Sequence, residues 1–193
     1  DGEHRLGLRD PVAHHLGRPI TFTNDANAAA YGEYWVGCGR HFDSMVLLTL
    51  GTGVGGGIVI GDFAIEGEHS HGAECGHIIV DSSPDARLCP CGQAGHLESY
   101  ASATGVIGRT RELLDQGRET SARARIEAGQ ELSPLLLSEE AARGDAFSLE
   151  VIMETARWLG IGIVTLIHTI DPAGVVLGGA MTFGGNEAEI GRR

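Results

Sequence analysis

The chain is 193 residues long, 42% hydrophobic, and carries a formal net charge of −12. That length suits one domain or slightly more, and the acidity argues against a nucleic-acid partner, because phosphate binding draws on basic surface. All 14 basic residues are arginine, which excludes a Schiff-base lysine and a Walker-type phosphate loop.

Residues 19–23 (PITFT) alternate β-branched side chains and predict a short strand. Asn24 and Asp25 end it, and the alanine-rich stretch 26–35 predicts a helix. Glycines and Asp43 break the periodicity over 37–44, where a domain boundary divides residues 1–41 from 42–193. Residues 45–50 predict an apolar strand, Gly51, Thr52 and Gly53 a turn, and 56–60 the returning strand of a hairpin. A loop over 61–76 and a short strand over 78–80 lead into a Cys- and His-bearing loop. Residues 98–116 predict a helix, and 118–145 a polar helical excursion without evident chemistry. Residues 147–170 predict a long helix, with Ile152, Ala156, Leu159, Ile163 and Leu166 or Ile167 as its apolar stripe. Asp171 and Pro172 stop it. Residues 174–177 form a buried strand that runs into Gly178 and Gly179. Hairpin strands, long helices and a final strand indicate an α/β fold.

His77, Cys89, Cys91 and His96 carry the sharpest chemistry. Their His-x11-Cys-x-Cys-x4-His spacing suits tetrahedral zinc closed by four protein ligands, a structural rather than catalytic site. His69 and His71 compete on paper, but loop histidines of that kind are more often solvated. Cys38 and Cys75 are expected to be reduced packing residues, since four cysteines are too few for a secreted disulfide framework. With neither a signal peptide nor an apolar run of about 18 residues, a cytoplasmic protein without a membrane span is expected.

Asp25, between a strand and a helix, is placed either to accept a proton from a substrate hydroxyl or to cap the helix. Asn24 has the same two uses. Five glycines among residues 51–57 exceed what a hairpin turn needs. Successive N–H groups there would make an anion nest, with the Thr52 hydroxyl as a further donor. Glu74, His77 and Glu98 gather if the metal folds the 77–96 loop back, and carboxylates so gathered suit the hydroxyls of a sugar.

The segments TNDANAAAYGE, LGTGVGGGI, the E-x-G-H of Glu74 to His77, and CPCGQAGHLE, with DPAGVVLGGA near the end, resemble in order and spacing the ROK (repressor, open reading frame, kinase) family, and within it the bacterial glucokinase branch. The resemblance implies the actin-like ATPase fold (sugar kinase / ribonuclease H-like), two α/β domains around a cleft. Residues 1–41 would be a remnant of the small domain and 42–193 the larger domain, truncated at both ends. It implies ATP-dependent phosphorylation of a hexose, most simply glucose, at the 6-hydroxyl. Asp25 would be the catalytic base, and Asn24, Glu74, His77 and Glu98 sugar ligands. Gly51, Thr52 and Gly53 would face the ATP phosphates, with Gly178 and Gly179 under adenosine. Structural zinc, magnesium with ATP, and a homodimer are implied as well.

Two departures are visible. His96 stands where the family usually has Cys. The family's D-x-G-x-T phosphate and magnesium segment is absent, as are its C-terminal helices, so the chain alone is expected to show little activity. The alternatives are a sugar-sensing transcriptional regulator of the same family, an N-acetylmannosamine or N-acetylglucosamine kinase, and a zinc hydrolase, which four filled metal positions disfavour.

Overall fold

The structure is a computed structural model that describes residues 7–181. The ends of both proposed domains, residues 1–6 and 182–193, lie outside the described residues. Helix α1 (Arg9–Leu16) precedes an unpaired stretch, and α2 (Asp25–Trp35) leads to strand β1 (Ser44–Leu50). Strand β2 (Val54–Ile60) returns antiparallel to it, with Leu50 opposite Val54, so residues 51–53 make the whole connection. Strand β3 (Phe63–Ala64) pairs with β2. Beyond a 3-10 turn at Cys75–His77 come α3 (Glu98–Ala101), α4 (Ala103–Asp115), α5 (Ala122–Glu127) and α6 (Pro134–Ala142). The long α7 (Ala146–Ile170) follows, and then β4 (Gly174–Gly178), which runs parallel to β1. The sheet order is β3-β2-β1-β4.

The centre of β1, residues 45–48, is an unbroken apolar run because both faces of the sheet are covered there. Met45 and Leu47 pack with Ala30 of α2 and Val59 on one face. Val46 and Leu48 pack with Ile58, Cys75 and Leu166 of α7 on the other. A third cluster joins Leu97, Val106, Leu136, Leu137, Phe147 and Val151 among the helices. α7 is long and apolar enough to cross a membrane by length and composition alone, with a hydropathy of 1.3 over its best window. Here Val151 and Leu166 anchor it in two parts of the core.

Within β2, Gly55, Gly56 and Gly57 form a bare backbone ribbon between two layers. A Cβ at Gly57 would lie 2.3 Å from Ala30 Cβ, and one at Gly55 3.0 Å from Ala26 Cβ. On the opposite side, a Cβ at Gly56 would lie 2.5 Å from Cys75 Cβ. Helix α2 and the 73–77 segment therefore both approach the sheet as closely as main chain allows.

Several expectations are corrected. Residues 19–23 form no strand. Their β-branched pattern finds no partner strand among the described residues, Phe22 is exposed, and the Ile20 carbonyl accepts instead from Arg9 Nε at 3.1 Å. Residues 78–80 give only an isolated bridge between Ile79 and His96. The helix over 98–116 is broken at Ser102, whose extended backbone lets its side chain accept from Gly105 N–H and cap α4. Helix α1 had no expectation attached, β3 falls inside the expected loop over 61–76, and β4 is only partly buried where a buried strand was expected, with Leu177 exposed. Strand β2 begins at Val54, two residues earlier than expected, so Gly55 joins Gly56 and Gly57 in the strand.

Candidate active cleft and metal centre

Asn24 is the N-cap of α2. Its Oδ1 accepts from Ala26 N–H at 2.8 Å and from Asn27 N–H at 3.4 Å. Asp25 is the first helical residue, and its Oδ1 accepts from Ala26 N–H at 2.9 Å. The capping role that competes with a catalytic role for Asp25 is therefore filled by its neighbour. Both residues line a cleft of about 360 Å3.

The same cleft is lined by Glu74, His77 and Glu98, and by Gly51, Gly53 and Gly179. A Cβ at Gly51 would meet nothing within 4 Å, so a ligand can approach its backbone. Gly53 is bare for a different reason: a Cβ there would lie 2.4 Å from Glu98 Oε2, which accepts Val54 N–H at 3.0 Å. Gly179 adopts φ 96°, and its absent Cβ would lie 2.3 Å from the Leu50 carbonyl oxygen, so glycine is required.

Two expected members lie elsewhere. Gly178 is the last residue of β4 and does not line the cleft. Thr52 lines a neighbouring cavity behind the turn, with Arg87, Leu88 and Thr104. The pattern in the sequence also hid the groups that hold the turn. Ala103 N–H donates to the Gly51 carbonyl at 2.9 Å, and the Thr104 hydroxyl to the Thr52 carbonyl at 2.8 Å. A polar pair opening a helix gives no sign of such partners.

The four metal-ligand candidates converge. One donor atom from each of His77, Cys89, Cys91 and His96 lies within 4.8 Å of all the others. The Nδ1 atoms of His77 and His96 are 3.2 Å apart, Cys89 Sγ is 3.8 Å from His77 Nδ1, and Cys91 Sγ is 3.2 Å from His96 Nδ1. A tetrahedral ion with zinc–nitrogen near 2.0 Å and zinc–sulfur near 2.3 Å has ligand–ligand edges of roughly 3.3–3.8 Å, so the group fits zinc. His69 and His71 are exposed and outside this group.

Cys75 is buried against the sheet, and burial pushes its thiol up to about 11, with Glu74 adding to the shift. It is an inert packing residue, as expected. Cys38 departs from that expectation: it is exposed, and both its N–H and its thiol donate to Glu33 Oε2, at 3.0 and 3.2 Å.

A family model described as "ROK family" matches residues 2–186. The chain is 34% identical over 182 residues to the glucokinase of Thermotoga maritima, which covers 94% of this chain and 57% of that protein. It is 30% identical over 178 residues to the xylose repressor of Caldicellulosiruptor bescii, covering 92% of this chain and 44% of that one. Among solved structures, the ROK family glucokinase of Streptomyces griseus in complex with glucose and AMPPNP superposes with a TM-score of 0.72 at 36% identity, over 89% of this chain and 55% of that one. The chain thus spans about half the length of the curated relatives it matches. With a family match across nearly its whole length, the chain belongs to the ROK family and has the actin-like ATPase fold of its sugar kinases.

Proposed function

We propose that this cleft phosphorylates a hexose, glucose in the first instance, at its 6-hydroxyl with magnesium-bound ATP. One observation carries the reading. Asp25, relieved of the cap by Asn24, shares one cleft with Glu74, His77, Glu98 and the bare turn at Gly51 and Gly53. The glucose and AMPPNP bound by the Streptomyces griseus relative support it.

Asn24, Glu74, His77 and Glu98 hold the sugar hydroxyls and present the 6-hydroxyl to Asp25. The Asp25 carboxylate takes its proton as the oxygen attacks the γ-phosphorus, and ADP departs with the electrons of the broken bond. Amides of the turn at Gly51 and Gly53 cradle the phosphates, and Gly179 lies beneath the nucleotide. Because phosphoryl transfer asks mainly for alignment and charge stabilisation, this chain's contribution is positioning plus one base.

Zinc held by His77, Cys89, Cys91 and His96 would supply no reacting group and would fix the 77–96 loop. With His77 Nδ1 in that cluster, its Nε2 is left for the sugar, and its ring orientation is set from behind. The division into a small-domain part (1–41) and a large domain (42–193) is part of the same proposal, α2 carrying Asp25 across to the turn.

A sugar-sensing regulator is the second reading, favoured by the likeness to the xylose repressor. The retained base and bare turn favour the kinase, since sensing a sugar needs neither. The test, with the chain carried in the full-length protein, pairs calorimetry of glucose, N-acetylmannosamine and N-acetylglucosamine with an assay for hexose 6-phosphate in the presence of Mg-ATP. Binding of glucose with 6-phosphate formed is the expected result. Tight sugar binding with Mg-AMPPNP ignored would favour the regulator, and no sugar binding at all would reject both.

A further inference from the structure

The turn between β1 and β2 is gripped from one side. Ala103 N–H, at the start of α4 where a helix has no internal partner for it, donates to the Gly51 carbonyl at 2.9 Å. The Thr104 hydroxyl donates to the Thr52 carbonyl at 2.8 Å. Glu98 Oε2 receives Val54 N–H at 3.0 Å, and Gly51 N–H closes on the Gly53 carbonyl at 3.0 Å. Three groups within residues 98–104 therefore occupy two carbonyls of the turn and the amide that follows it.

The planarity of the peptide bond gives this grip a direction. In a trans peptide the carbonyl of one residue and the N–H of the next point oppositely. Drawing the Thr52 carbonyl toward α4 turns Gly53 N–H away from α4, and drawing the Gly51 carbonyl does the same for Thr52 N–H. A nest for an anion needs this arrangement, with amides presented and carbonyls, which repel phosphate, withdrawn. Without the Thr104 hydroxyl, the peptide between Thr52 and Gly53 is freer to rotate, because glycine on its Gly53 side offers little resistance.

We propose that Thr104 is a positioning residue: through the Thr52 carbonyl, it aims the Gly53 amide at the phosphate chain of the nucleotide. The proposal rests on the reading of the turn as phosphate-binding. Thr104 itself is exposed and does not line the cleft; with Thr52 and Gly53 it lines the neighbouring cavity, and the role proposed for it is exerted through the turn.

The test compares Thr104→Val, which keeps the shape and loses the donor, with Thr104→Ser, which keeps the donor. Two readouts are taken: hydrogen exchange without ligand at the Gly51 amide, whose bond to the Gly53 carbonyl closes the turn, and the affinities for Mg-AMPPNP and for glucose by calorimetry. Thr104→Val is expected to speed exchange at Gly51 and weaken Mg-AMPPNP roughly 3- to 10-fold, the range of one intramolecular hydrogen bond. Glucose affinity should hold, and Thr104→Ser should restore both quantities. Unchanged Mg-AMPPNP affinity in Thr104→Val would overturn the proposal, and so would unchanged exchange at Gly51. If exchange quickens but neither wild type nor variant binds Mg-AMPPNP, the phosphate role of the turn fails while the grip on it stands.

Discussion

Replacing Asp25 by Asn separates its catalytic and structural roles in one variant. Asn24 Oδ1 already accepts from Ala26 and Asn27, and Asp25 only shares the first of these donors. An Asn side chain at 25 keeps an oxygen acceptor for Ala26 N–H, so the capping loss is a few tenths of a kcal/mol. The carboxylate's interaction with the helix dipole is lost too, worth about 0.3–1 kcal/mol at an exposed first turn. Together these stay near 1 kcal/mol, a fall of about 2–4 °C in thermal midpoint for a chain of this size. The loss of a general base costs about 10²- to 10⁴-fold in turnover. With the chain carried in the full-length protein, turnover is read in a coupled assay for glucose 6-phosphate, glucose affinity by calorimetry, and stability by thermal melt. Glucose affinity should move little, because Asn24, Glu74, His77 and Glu98 remain. Turnover within about threefold of wild type, far short of the general-base range, would refute the assignment and leave Asp25 as a helix-end carboxylate.

Zinc-replete protein should contain about one zinc per chain by elemental analysis, as strong structural sites do; His96→Cys should keep it and His96→Ala should fall below half an equivalent. Asp145 caps α7 through Ser148 N–H and also receives the Thr120 hydroxyl and Ser121 N–H. Burial pushes its carboxyl up, but these donors outweigh that and hold it at about 2, below the ordinary 3.8. The depressed value means its contribution is fully present above about pH 4 and disappears as pH falls through about 2. Asp145→Ala should cost about 1 kcal/mol at neutral pH and flatten the acid limb of a denaturant-midpoint titration; an unchanged limb would exclude the cap as its source. Gly57→Ala should destabilise by about 1–3 kcal/mol, the usual range of overpacking, because the new methyl meets Ala30 Cβ at 2.3 Å. A urea midpoint equal to wild type would show that α2 can lift from the sheet.

Features set by local chemistry were legible in the sequence. The apolar run of β1, the Asp171 stop and the four metal-ligand candidates reached their expected places. The α7 stripe did so only in part: Leu159, Ile163 and Leu166 pack as expected, but Ala156 is exposed, and Val151 and Thr155 are buried on the neighbouring face. Asn24, Asp25, Glu74, His77 and Glu98 gather in one cleft, as expected. What failed depends on partners distant in the chain. Residues 19–23 have strand propensity, but a strand exists only where another edge receives its hydrogen bonds. Gly178 and Gly179 look alike in sequence, yet only Gly179 has a left-handed backbone and reaches the cleft. The glycine run 51–57 looked like one phosphate loop, whereas its last three members are packing positions. Thr104 carried no signal, because its importance lies in a carbonyl 52 residues away.

The bare ribbon of β2 limits how this cleft can change. Asp25 stands one residue before Ala26, which abuts Gly55 and Gly57. Glu74 stands one residue before Cys75, which abuts Gly56 from the other side. Both segments are thus set against opposite sides of a three-glycine spacer. The smallest available step, a methyl, meets an atom within 2.5 Å at each of these glycines. Adjustment of the cleft through the spacer therefore comes at a cost in packing. Under the proposed function, room for a bulkier sugar, such as one with an N-acetyl group, is made at lower cost at the start of α2 or in the 73–77 segment.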